Sequence, residues 1–188
     1  MAFFKPYGVL SQFTQPADSD KRTLAEFKFP PNVYPIGRLD WDSEGLLLLS
    51  DDTQLNDALL NPRHGHRRAY FAQVENLPTQ AALDQLAKGV LLKDERTRPA
   101  FARLIDEEPM LPPRPVPVRF RKNIPTAWIE LTLTEGKNRQ VRKMTAAVGF
   151  PTLRLVRVAI GNLNVFDLAI DPGQWIALDE TAILAAFE

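Results

Sequence analysis

The chain contains no cysteine, which excludes disulfide scaffolds, thiolate metal centres and cysteine nucleophiles. It has two histidines, His64 and His66, so little is available for a histidine-built metal site. A phosphate-loop signature is missing. No run of 18 apolar residues occurs, and the N-terminus lacks the basic start and apolar core of a signal peptide. No membrane segment is expected, and the lack of cysteine fits a cytoplasmic protein. There is no net charge either, with 23 basic residues against 23 acidic ones.

What is present describes an ordinary globule. A length of 188 residues, with 45% hydrophobic and 24% charged content, suits one domain spanning 1–188. The neutral total hides an uneven distribution. Residues 114–157 hold ten Lys/Arg against two acids, whereas the tail from Asp171 has four acids and no base. Such asymmetry implies a basic face, the electrostatic footprint expected for phosphates, although a solvated surface with scattered ion pairs would read alike.

Periodicity and capping residues give the elements. A short strand, a turn over Lys5-Pro6-Tyr7-Gly8 and a second strand fill residues 2–13. Thr23 is placed to cap a short helix over 24–28. Strands are read at 33–36, 45–49, 68–75, 97–105, 127–134, 153–160 and 175–178. Helices are read at 54–60, stopped near Pro62, at 78–88 with Gly89 as its stop, from Asn138 as cap to Val148, and after Asp179. Five prolines between Glu108 and Pro117 mark a loop. Hairpins mixed with helices predict an α+β fold: a mixed, mainly antiparallel sheet with flanking helices.

Two blocks stand out chemically. In Gly37-Arg38-Leu39-Asp40-Trp41-Asp42-Ser43-Glu44-Gly45 a carboxylate sits beside an arginine at the mouth of a strand, Leu46–Leu49, that is apolar throughout. Burial and a nearby cation tune a carboxylate in such a place. Asp40-x-Asp42-x-Glu44-Gly45 imitates the opening of an EF-hand, but four leucines follow where ligands belong and the twelfth position is Asp51. A paired-carboxylate glycosidase, or an arginine and aspartate that merely pin a turn, remain as alternatives.

The second block, Glu135 to Met144, predicts a helix with Val141, Met144, Thr145 and Val148 facing inward and Arg139, Arg142 and Lys143 facing out. Gly136 and Asn138 leave backbone N–H groups at its start open to an anion. Arginine suits carboxylate or phosphate because its planar fork binds both oxygens at once.

Together with Lys5-Pro6-Tyr7-Gly8-Val9-Leu10-Ser11 and Leu153-Arg154-Leu155-Val156-Arg157-Val158-Ala159-Ile160-Gly161, these blocks resemble the ribosomal pseudouridine synthases of the family containing the small-subunit synthase A. The resemblance covers nearly the whole chain in order. Through Ile124-Pro125-Thr126-Ala127-Trp128 and Met144 to Leu155 it leans toward the large-subunit synthase E branch. Many members begin with an S4 RNA-binding domain, and the resemblance here starts at the Lys-Pro-Tyr-Gly motif, so no S4 domain is expected.

The resemblance implies a synthase catalytic domain with two sub-lobes around a central RNA-binding cleft. It implies isomerisation of a uridine in 23S ribosomal RNA to pseudouridine, by base flipping and an aspartate nucleophile. Asp40 falls on the essential aspartate, Tyr70 on the active-site tyrosine and Arg142 on the arginine that pairs with the aspartate. Arg38 matches a position that fills the space of the flipped base, and Leu153 stands where an apolar residue lines the uracil pocket. Arg68 replaces a frequent lysine two residues before the tyrosine. Lys137, Asn138, Arg139, Lys143, Arg154 and Arg157 are the expected RNA contacts. No redox or hydrolytic step is involved, so no cofactor and no metal is expected. The implied partner is ribosomal RNA, free or in an assembly intermediate, acted on by a monomer. A non-catalytic RNA-binding protein that keeps the fold is the alternative.

Overall fold

The computed structural model describes residues 1–61, 63–93, 95–118 and 121–187. Pro62, expected to stop a helix, and Arg119, one of the counted cations, lie outside the described residues.

The chain opens with Ala2–Lys5 (β1) and Val9–Leu10 (β2), the latter pairing in parallel with Arg22–Thr23 (β3). A 3-10 turn over Leu24–Phe27 follows, and the Thr23 hydroxyl accepts from the Ala25 N–H as its cap. Tyr34–Ile36 (β4) and Glu44–Ser50 (β5) flank the aspartate turn, and Thr53–Leu60 (α1) begins at Asp52, which accepts from the Gln54 N–H. Next come Arg68–Glu75 (β6) and Gln80–Lys88 (α2), which is capped by Thr79 and ended by Gly89. A small hairpin of Leu91–Leu92 (β7) and Glu95–Arg96 (β8), not anticipated from the sequence, precedes Phe101–Ile105 (β9) and Thr126–Leu133 (β10). Then follow Gln140–Ala147 (α3), Thr152–Ile160 (β11), Leu163–Asn164 (β12), Trp175–Ile176 (β13) and Glu180–Ala185 (α4).

Among the described residues the main sheet has nine strands in the order β13-β1-β5-β11-β6-β10-β9, with β12 on β11 and β4 on β5. Its pairs are antiparallel except β5 with β11. The fold is therefore α+β with a mixed, mainly antiparallel sheet. The parallel contact lets the chain approach very closely at Gly45. A Cβ there would lie 2.1 Å from the Arg157 carbonyl oxygen, and φ is +105°, so only glycine fits.

Four consecutive leucines make sense because β5 is buried on both faces. Leu47 and Leu49 join Phe3 in one apolar cluster, while Leu46 and Leu48 join Phe4 in another. Burying each such side chain contributes about 2 kcal/mol. A third cluster packs α2 and α3, through Leu83, Leu86, Val141 and Met144, on β6, β10 and β11. Tyr70 touches both this cluster and the one around Phe3 and Leu47. It stands where the two meet, and the cleft opens there. Among the described residues no helix is long and apolar enough to cross a membrane.

Candidate active site

Between β4 and β5 the backbone makes a turn whose carbonyls from Leu39 to Ser43 are all engaged. Leu39 O accepts from Ser11 Oγ at 2.8 Å, and Asp40 O accepts from the Ser43 N–H at 3.1 Å. Trp41 O accepts from the Gly8 N–H at 2.9 Å. Asp42 O accepts from Arg142 Nη2 at 2.8 Å, and Ser43 O from Lys5 Nζ at 2.7 Å. Ser11 Oγ also accepts from the Leu39 N–H at 3.1 Å. Segments far apart in sequence thus converge on five residues and fix the direction in which Asp40 points.

Asp40 lines a cleft of about 470 Å³, a volume suited to a small ligand or one nucleotide. Tyr70, Arg38 and Leu155 share its wall, and residues 136–139 close another side. Its boundary is therefore aromatic and apolar in part, and cationic in part.

Two arginines serve the two aspartates. Arg139 grips Asp42 with both nitrogens, Nη1 to Oδ1 and Nη2 to Oδ2, each at 2.9 Å. The same Nη1 lies 3.5 Å from Asp40 Oδ2. Arg142 Nη2 lies 3.4 Å from Asp42 Oδ2, and its Nη1 donates to Thr152 O at 3.3 Å. Burial pushes the Asp42 carboxyl up, but the bond from Arg139 and the charges of Arg142 and Arg139 outweigh it and hold the group below its ordinary value. Burial draws the Arg142 guanidinium down, with Asp42 opposing. Arg139 moves up, chiefly through its bond to Asp42.

Lys5 sits beneath this turn with no exposure at all. Burial lowers its ammonium from the usual lysine range to about 7, even though Glu44, Asp42 and Asp40 all pull the other way. Its donors reach Pro6 O at 3.0 Å as well as Ser43 O.

Several expected site residues take different places. The helix α3 starts at Gln140, and Arg139 is its N-cap in a left-handed conformation with φ of 50°. Arg139 therefore leaves the outer helix face and turns back to the aspartates. Asn138 does not cap; its Oδ1 accepts from Lys143 Nζ at 3.3 Å. The pairing expected between Arg142 and Asp40 is absent among the described ion pairs: Arg142 holds Asp42, and Arg139 is the cation beside Asp40.

Leu153 lies in a separate pocket with Gln73 and Thr126, and Leu155 occupies the cleft instead. The reason is an irregularity in β11, where Thr152 pairs with Val74 but Arg154 pairs with Gln73. That slip breaks the regular alternation of the strand at Leu153. Leu155 pairs with Ala72, two residues from Tyr70, and so shares its face.

Neither Arg154 nor Arg157 is placed to meet phosphate. Arg154 binds Glu44 through two bonds, Nε to Oε1 at 2.9 Å and Nη2 to Oε2 at 2.7 Å, with both side chains largely buried. Its Nη2 also donates to Pro112 O at 2.8 Å. Arg157 is 4% exposed and donates from Nε to Leu46 O at 2.8 Å. Arg68 donates to Leu59 O at 2.8 Å and His66 O at 3.3 Å, fastening the end of α1. Lys137 lines the cleft but carries ion pairs to Glu95 at 2.6 Å and Glu135 at 3.5 Å. Lys5, Ser11 and Leu155 lie within the motifs that carry the resemblance, but their residue types alone announce no place in the site.

Residues 1–147 match the family described as RNA pseudouridylate synthase, a span that includes the whole aspartate turn, Tyr70 and both arginines. The chain belongs to that family. It is 56% identical over 182 residues to ribosomal large subunit pseudouridine synthase E of Xanthomonas campestris pv. campestris, covering 97% of this chain and 96% of that protein. It is 49% identical over 173 residues to ribosomal large subunit pseudouridine synthase E of Vibrio vulnificus, covering 92% of this chain and 72% of that one. A solved structure described as a pseudouridylate synthase superposes with a TM-score of 0.80 at 26% identity, covering 98% of this chain and 72% of that chain. As an RNA pseudouridine synthase the chain is an isomerase, and its cleft is the place to look for a nucleoside.

Proposed function

We propose that this synthase converts a specific uridine of 23S ribosomal RNA to pseudouridine, with Asp40 as the nucleophile toward an extruded nucleoside. The observation that carries the reading is the shared cleft: a carboxylate on a fully bonded turn, a tyrosine, a leucine and an arginine-bearing wall in one space of about 470 Å³. Kinship with synthases named for the large ribosomal subunit supports the choice of RNA.

The reaction is an internal transfer. The N1–C1′ bond breaks, the uracil turns while held in the cleft, and a C5–C1′ bond forms. C5 loses its proton and N1 gains one, so composition is unchanged and no cofactor or metal is invoked. A stacked base is out of reach, so the uridine leaves the stack at an expense of a few kcal/mol. Arg38, exposed on the cleft wall, fills the gap it leaves. Tyr70 packs on the ring and receives the C5 proton. Arg139 stands beside the nucleophile, and Arg142 acts on it through Asp42. Lys137, Asn138 and Lys143 face the RNA backbone. The substrate is free RNA or an assembly intermediate in the cytoplasm, and the enzyme works as a monomer.

The test is to map pseudouridines in ribosomal RNA from cells lacking the protein, then from cells supplied with the parent or with Asp40→Asn. One large-subunit position should vanish, return with the parent and stay absent with the variant, which should still bind RNA. A variant that restores the position removes Asp40 from the chemistry, and a ribosomal RNA unchanged by the deletion removes the substrate.

A further inference from the structure

Next to the nucleophile stands a pair of rings that the reaction described above does not use. Trp41 follows Asp40 in the chain and lines the same cleft. Its ring centroid is 5.2 Å from that of Tyr7, tilted by 53°. Both rings are partly open to solvent, and neither belongs to any of the three apolar clusters that build the core. The indole N–H of Trp41, although itself buried, has no hydrogen-bond partner. The ring is therefore held by its neighbour and by its backbone, whose carbonyl accepts from the Gly8 N–H.

Each ring carries a cation. The Arg114 guanidinium lies 4.2 Å from the Tyr7 centroid, and Lys21 Nζ lies 5.2 Å from that of Trp41. Two half-open aromatics flanked by cations match the surface that holds single-stranded nucleic acid: a flat apolar face for a base and a positive charge for the adjoining phosphate. Lys21 is exposed and its ammonium is strongly hydrated, so a base readily displaces it from the indole face toward phosphate.

We propose that Trp41 and Tyr7 form a stacking platform for a nucleobase that neighbours the target uridine in the RNA, with Lys21 and Arg114 meeting the backbone beside it. The platform is continuous with the cleft, so a strand that delivers its uridine to Asp40 lays an adjacent base on the indole. It rests on the synthase reading and adds to it a second point of RNA contact outside the reacting nucleoside.

The experiment uses the full chain and an in-vitro transcript of full-length large-subunit ribosomal RNA. Ultraviolet crosslinking followed by mass spectrometry should place a nucleotide adduct on Trp41 or Tyr7. The adduct should form equally in the parent and in Asp40→Asn, because crosslinking needs no turnover. Trp41→Ala should lower kcat/KM for pseudouridine formation roughly tenfold, and Trp41→Phe should recover most of that loss. Absence of an adduct on both rings, or an alanine variant as efficient as the parent, overturns the platform while leaving pseudouridine formation in place. A parent protein that makes no pseudouridine overturns the synthase reading instead, and the crosslink then decides the platform alone.

Discussion

Arg139 grips both oxygens of Asp42 at 2.9 Å while keeping one nitrogen 3.5 Å from Asp40. A guanidinium committed to one carboxylate and leaning on the other is a positioned charge, not a loose one. Replacing Asp42 with asparagine keeps the shape and removes the clamp, so Arg139 is free to collapse onto Asp40. Asp42→Asn is expected to lower single-turnover conversion by about tenfold to a hundredfold, as small misplacements at a reacting centre do. RNA affinity in a filter-binding assay should barely move. Conversion at the parent rate would show that Asp42 positions nothing.

The buried pair of Glu44 and Arg154 makes a different prediction, about stability. Removing one member strands the other in a site where it meets little water. Glu44→Leu should destabilise the fold by about 3–5 kcal/mol in urea denaturation. The double change Glu44→Leu with Arg154→Met should recover most of this, since an apolar pair of similar volume has no charge to desolvate. Equal stability of the single and double variants would mean that the pair is solvated after all.

Lys5 gives a pH dependence. Its folded-state value of about 7 lies below the ordinary 10.5. Between those limits the unfolded chain carries a proton that the folded chain has released, so stability rises with pH across that window. Below about 7 both states are protonated, and the folded form bears the full expense of a buried ammonium. Lys5→Met should flatten the rise between pH 7 and 10, measured as the free energy of unfolding against the parent. A parent curve without that rise, or an unchanged slope in the variant, would place a charged lysine comfortably in the core.

Salt dependence separates surface cations from buried ones. Lys143 is exposed and donates only to Asn138 among the described contacts. Lys143→Ala should reduce the slope of log affinity against log salt by about 0.7, the share of one phosphate contact on a single strand. Arg154→Met, measured on protein shown to be folded, should leave that slope alone. The reverse pattern would restore Arg154 as an RNA contact and dismiss Lys143.

Local rules recovered much of this molecule from residue order. Gly89 and an amphipathic spacing suffice for α2, and strict alternation suffices for β10, because both depend on neighbours a few positions away. The aspartate turn was visible for the same reason. What escaped depended on partners distant in sequence. Nothing beside Arg154 announces Glu44, 110 residues earlier, so a structural cation reads as an RNA contact. Helical spacing places Arg139 on the outer face, whereas its left-handed backbone makes it the N-cap and starts the helix one residue later, at Gln140. The resemblance points to Leu153, but it carries no information on the register of β11, where an irregularity leaves Leu155 lining the cleft.

Because all five carbonyls from Leu39 to Ser43 are engaged, one by the Ser43 N–H within the turn and the others by Lys5, Gly8 and Ser11 of the N-terminal segment and by Arg142, the turn has little freedom to mould itself around a ligand. On the proposed reading, the deformation on binding then belongs to the nucleic acid. A uridine in a loop or bulge, already half out of its helix, presents itself at small expense, while the same base inside a regular duplex does not. Selection of one position among many would then follow from which stretch of RNA bends most easily to an unyielding anvil.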